Sequence, residues 1–130
     1  MTQIRFQYQQ VKGSLQPIIS IGLKLQNKWY PFDFYVDSGS EYSILRAEIA
    51  DIVGFNYRTG NRISLQVGDG SFIQIYLHEL DVQLGTEKFS CPIGFSQQLG
   101  VDFNVLGKRG IFDRFKICFQ QAPGLLTFES

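Results

Sequence analysis

The run "FYVDSGSEYSIL", residues 34–45, places one carboxylate, Asp37, between two apolar stretches and directly before Ser38, Gly39 and Ser40. Asp, Ser and Gly are the residues any tight turn prefers, so the motif on its own reads as a turn. Its flanks add to that reading. Phe32, Phe34 and Val36 precede it and "YSIL" follows, so the turn joins buried strands and its carboxylate is partly desolvated. Such a group is costly unless it has hydrogen-bond donors or a chemical task. Ser38, Ser40 and the Gly39 amide are the donors at hand. Few other residues offer chemistry. His78 is the single histidine, which removes most catalytic triads and zinc sites; it reads as a strand residue turned sideways or to solvent. Cys91 and Cys118 lie in apolar-alternating runs with no His or Cys at metal-ligand spacing. They read as buried thiols, with no disulfide, no metal and no cofactor implied.

The elements that must position Asp37 follow a period of two. Ile19, Ile21, Leu23 and Leu25 alternate with Ser20, Gly22 and Lys24; after a "QNK" turn, Phe32, Phe34 and Val36 alternate again. Ile63, Leu65 and Val67 lead into "GDG", and Ile73, Ile75 and Leu77 lead out, which predicts a hairpin with positive φ at Gly68 and Gly70. The apolar phase then shifts to Leu80, Val82 and Leu84, which predicts a bulge near His78 and Glu79. Phe89, Cys91, Ile93 and Phe95 share one face of a further strand, and "FKICF" and "LLTFE" are the last two. "RAEIADIVG" predicts a short helix with Leu45, Ile49, Ile52 and Val53 on one face and Gly54 as its cap. "KRGIFDRF" predicts a second, burying Ile111, Phe112 and Phe115. The fold class is mainly β, a small closed β-barrel with one or two short helices.

At 130 residues the chain fits one domain spanning 1–130, long enough to bury roughly two thirds of its unfolded surface. Twelve basic residues balance twelve acidic ones, with no Lys/Arg run to track a phosphate backbone, so nucleic acid is not an expected partner. "MTQIRFQYQQ" lacks the apolar region of a signal peptide, and no window reaches the roughly 18 apolar residues of a membrane span. A cytoplasmic location without membrane association is the expectation.

Three segments, in order, resemble the retroviral-type (retropepsin-like) single-lobed aspartic proteases, and most of all their bacterial relatives. "FDFYVDSGSEYSIL" is similar to the catalytic loop; "VGDGSFIQIYLHELDVQLGTEKFSCPIGFS" to the flap hairpin and its return strand; "FNVLGKRGIFDRFKICF" to the apolar-apolar-Gly segment behind the active site. The resemblance covers roughly residues 15–120. It implies an aspartic endopeptidase with Asp37 catalytic, Ser38, Gly39 and Ser40 supporting it, Gly68, Asp69, Gly70 and Ser71 as flap tip, and Leu106 and Gly107 behind the site. Ser38 stands where Thr is commoner, keeping the hydroxyl used across the subunit interface but not the methyl. Asp69 adds a charge to a tip that is usually less polar, so it either faces solvent or shapes substrate choice.

This chemistry needs two carboxylates about 3 Å apart sharing one proton, because like charges that close do not both ionise. The chain holds a single such motif, so the resemblance implies a homodimer acting on polypeptide. A groove lined by Phe72, Ile73 and Ile75 implies apolar residues on both sides of the scissile bond. The strand Leu125–Glu129 is expected to pair with its symmetry mate or to stand as an ordinary edge. Two other classes compete: a catalytically inactive retropepsin-like domain that binds peptide or protein, and an SH3-like or OB-like barrel, which leaves Asp37 in its apolar frame unexplained.

Overall fold

In the computed structural model, which describes residues 2–130, the period-two segments are strands. In chain order they are β1 (Gln3–Gln7), β2 (Gln9–Val11), β3 (Ser14–Gln16), β4 (Ile18–Leu25), β5 (Lys28–Val36) and β6 (Ser43–Arg46). Helix α1 (Ala47–Val53) follows, then β7 (Asn61–Gln66), β8 (Phe72–Leu84), β9 (Glu87–Ser96), β10 (Asn104–Leu106), β11 (Lys116–Gln120) and β12 (Leu125–Glu129). The large sheet runs β4-β5-β10-β6-β9-β8-β7. Gly22 and Leu23 of β4 also pair with Gln83 and Val82 of β8, so the sheet returns on itself as a ring. Most contacts in it are antiparallel, but β10 runs parallel to β5, and β6 parallel to β9.

The ring encloses the side chains that alternation assigns to it: Ile19, Ile21, Leu23, Leu25, Phe34, Val82, Leu84, Ile93 and Phe95 are all buried. Each such side chain taken fully from water contributes about 1.5–3 kcal/mol. A second, smaller cluster lies outside it, formed by Ile44, Ile73, Ile75 and Val105 with Leu65, Val67 and Leu99 against them.

The two clusters explain the phase shift in β8, and the bulge predicted there is absent. Pairing with β9 is unbroken from Tyr76↔Phe95 to Leu84↔Glu87. Ile73, Ile75 and Leu77 face the small cluster, whereas Leu80, Val82 and Leu84, on the opposite face, serve the ring. One unbroken strand buries different faces at its two ends.

Other expectations are corrected too. Ile52, expected on the inner face of α1, is 83% exposed; Ala47 and Ala50 are the buried residues of the helix, with Ile49 and Val53 packed partly buried against the ring core. Gly54 caps it with φ 77°. The predicted second helix is one irregular turn at Lys108–Phe112, since Arg109 is extended (ψ 121°) and Gly110 left-handed (φ 82°). In the β7–β8 hairpin only Gly70 has positive φ (87°); its amide donates to Val67 O, closing a four-residue turn in which Gly68 needs no special conformation. His78 is half-buried and not turned out to solvent: its Nε2 donates to Tyr57 O at 2.6 Å and its ring packs on Phe55 and Phe95. Cys91 and Cys118 are free thiols. Burial, with Glu79 and Asp113 nearby, pushes the Cys91 thiol up to about 12.

The terminal strand β12 is neither unpaired nor an edge. It is the middle of a second sheet, β1-β12-β11, with five residue pairs on each side. Its flanking strand β1 went unrecognised in the sequence. Among the described residues, no helix is long and apolar enough to cross a membrane.

Candidate active site

Strand β5 delivers Asp37 at the point where the chain leaves the sheet. The parallel neighbour β10 runs alongside (Val105↔Tyr35, Leu106↔Val36), and one residue further the Asp37 amide donates to Leu106 O at 2.9 Å. Asn104 fixes this arrangement from a buried position. Its Nδ2 donates to Asp33 O and its Oδ1 accepts from the Arg46 amide, tying β10 to both β5 and β6.

Behind the loop, residues 107–109 form a strap. The Lys108 amide donates to Ser40 O (2.9 Å) and the Arg109 amide to Glu41 O (3.0 Å). The Gly107 amide donates to Ser43 Oγ at 2.9 Å. A Cβ at Gly107 would lie 2.4 Å from Tyr42 O and 2.6 Å from Ser40 O, both backbone atoms. Glycine is required there for close approach, whatever its φ. The Arg109 side chain adds an ion pair to Glu41 and lies over the Tyr42 ring; both charges are partly exposed, so the pair contributes at most about 1 kcal/mol.

Of the expected donors to Asp37, the Gly39 amide reaches Oδ1 at 2.9 Å. The other two do not serve. Ser40 Oγ donates to Tyr42 O instead (2.6 Å), and Ser38 is exposed on the far side of the loop. The Asp37 carboxylate is half-buried and retains acceptor capacity toward a ligand.

Asp37, Gly39 and Ser40 open on a groove of about 530 Å³. Its apolar lining comes from the small cluster and its neighbours: Ile44, Leu65, Val67, Ile73, Leu99 and Val105. Gly68, Asp69 and Ser71 of the β7–β8 hairpin face Asp37 across it, and Gly70 does not line it. Phe72, expected as a wall, lies on the opposite face of β8 from Ile73 and is 63% exposed, and Ile75, on the same face as Ile73, lies beneath the surface at 0%; neither lines the groove. Asp69 Oδ1 accepts from the Ser71 hydroxyl (2.5 Å) and amide (2.9 Å), and these bonds hold its carboxyl below the ordinary 3.8.

Sequence reasoning passed over three contributors: Asn104, Ser43 and Leu99. A buried polar residue inside an apolar run was the available signal for the first two, since "FNVLG" and "YSILR" each place one there. Leu99 lies in a loop and had none. The far wall is built where the β8–β9 ladder stops: Gln98 Oε1 accepts from the Gln74 amide and Ser96 Oγ donates to Gln74 O, so side chains carry the pairing on.

This is the fold of the retropepsin-like aspartic proteases. A crystal structure of a retropepsin-like aspartic protease from Rickettsia conorii matches with a TM-score of 0.66 and 20% identity, over 98% of this chain and 89% of that one. The EIAV protease complexed with the inhibitor HBY-793 matches with a TM-score of 0.55 and 11% identity, over 76% and 88% respectively. At such identities the likeness is one of fold. No protein-family profile and no curated protein matches the sequence.

Proposed function

We propose that this chain is an aspartic endopeptidase that works as a homodimer, with Asp37 of each subunit forming the catalytic pair. One observation carries most of the weight. Asp37 stands at the end of a parallel-paired strand, its backbone held from behind by Leu106, while its carboxylate opens on a long apolar groove. In the dimer the ionised carboxylate takes a proton from a bound water, and its protonated partner polarises the scissile carbonyl. The pair titrates as a unit. The hairpin tip Gly68–Ser71 acts as a flap, closing over an extended polypeptide and excluding water. Apolar residues on both sides of the scissile bond suit the groove lining. Residues 1–130 act as one catalytic domain.

The test is cleavage of an unstructured protein such as a casein at about pH 5 and pH 7, by the wild type and by Asp37→Asn of equal thermal stability. Cleavage by the wild type alone, faster at pH 5 because the pair must keep one proton, is expected. A flat or alkaline profile, or equal cleavage by the Asn variant, contradicts the proposal. Inhibitor binding without cleavage would make the domain a binding module.

A further inference from the structure

Terminal strands that exchange between subunits are one way to build a dimer, but here β12 is already bonded on both edges within its own chain. Partner pairing there would first break five residue pairs. The small sheet keeps two free edges, β1 and β11. Strand β1 lies against the Gly85 turn, where Ile4 Cγ2 is 2.6 Å from the position of a Gly85 Cβ, and its residues line neither cavity at Asp37. The β11 edge ends beside Asp37. A cavity of about 540 Å³ on that side of the loop is lined by Leu15, Tyr35, Asp37, Ser38, Phe119 and Gln121, among others.

Two properties make this face suited to a copy of itself. Its lining carries no charged group except Asp37, so two copies meeting across a two-fold axis oppose no like charges beyond the carboxylates that must meet. Leu15 (40% exposed) and Phe119 (43% exposed) offer apolar surface, with Ser14, Gln16, Ser38 and Gln121 as polar groups around them. Asp37 lines both this cavity and the groove. A second copy seated here brings its own Asp37 to the same loop, supplying the carboxylate that the groove lacks.

We infer that the second subunit docks on the face formed by the free edge of β11 and the β2–β3 hairpin, joining the two small sheets edge to edge beside the paired Asp37 loops. The inference rests on the dimeric protease reading. It assigns Phe119 and Leu15 as anchors and leaves β12 paired within its own chain.

The test is sedimentation of the full chain with and without a hydroxyl-bearing transition-state peptide, for wild type, Phe119→Glu, Leu15→Glu and Ile52→Glu. Both anchor residues are exposed, and two variants guard against one failing to fold. Every isologous contact occurs twice, so each glutamate is introduced twice. Phe119→Glu and Leu15→Glu are expected to weaken association at least tenfold, with specific activity falling at low concentration and returning at high concentration. Ile52→Glu, on α1, associates as wild type. A wild type that dimerises while both anchor variants associate unchanged overturns this interface and leaves the protease reading standing. A wild type that stays monomeric even with the peptide bound overturns both.

Discussion

The Asp37 loop and the β7–β8 hairpin tip face each other across one groove, yet they are held by different kinds of bond. The Asp37 loop is tied to residues far along the chain: its amides and carbonyls bond to Leu106, Lys108 and Arg109, and Gly107 packs against it from behind. The hairpin tip is bonded only to itself, through Val67, Gly70 and Ser71, with Gln66 Nε2 reaching Gly70 O. The first cannot move without dismantling the junction of β5, β6 and β10. The second can swing as a unit while keeping every bond it has. On the proposed protease reading, this contrast is the division of labour a closing active site needs, a fixed reacting group opposite a cover that can move.

The largest expected effect breaks the rigid side. In Gly107→Ala the new Cβ meets two carbonyl oxygens that cannot retreat without shifting the loop, so urea unfolding should show a loss of about 3 kcal/mol or more, with Asp37 displaced and activity lost. Wild-type stability would mean the strap is looser than its geometry. A smaller effect belongs to the hairpin: Gly70→Ala forces a side chain onto φ 87° and should cost about 1 kcal/mol. Its signature in amide exchange is confined to residues 66–72, and exchange changes at Asp37 or Lys108 would show that the two sides are coupled after all.

The smallest effect is one of pH. Ser71 holds the Asp69 carboxyl below 3.8, so this capping is present above the unfolded value and is lost as pH falls through the lowered folded one. Amide exchange at Ser71 should therefore accelerate below about pH 3.8 relative to Asp69→Asn, in which no carboxylate titrates. A profile identical in the two proteins would remove Asp69 as the organiser of the tip.

Much of this contrast is legible in the sequence, because alternation reports which strand face is buried. Ile19 to Leu25 and Phe89 to Phe95 behave as their spacing dictates, and Gly54 and Gly107 stand where the backbone needs glycine. The failures share one cause, in that the deciding contact is remote. Ile4, Phe6 and Tyr8 alternate among glutamines, and only pairing with β12, at the opposite end of the chain, makes a strand of the first two. The phase shift in β8 looked like a local defect because the second apolar cluster that absorbs it is assembled from β6, β7 and β10. Arg109 and Gly110 break a helical spacing because their backbone must follow the Asp37 loop. The direction of the Ser38 and Ser40 hydroxyls depends on that same packing.

Central to the account is that each chain supplies one carboxylate to a shared site. Calorimetric titration of the wild type with a hydroxyl-bearing transition-state peptide at about pH 5 measures this directly. One peptide bound per two chains, with binding lost in Asp37→Asn, is the predicted result. One peptide per chain, or binding unchanged by the substitution, would contradict it.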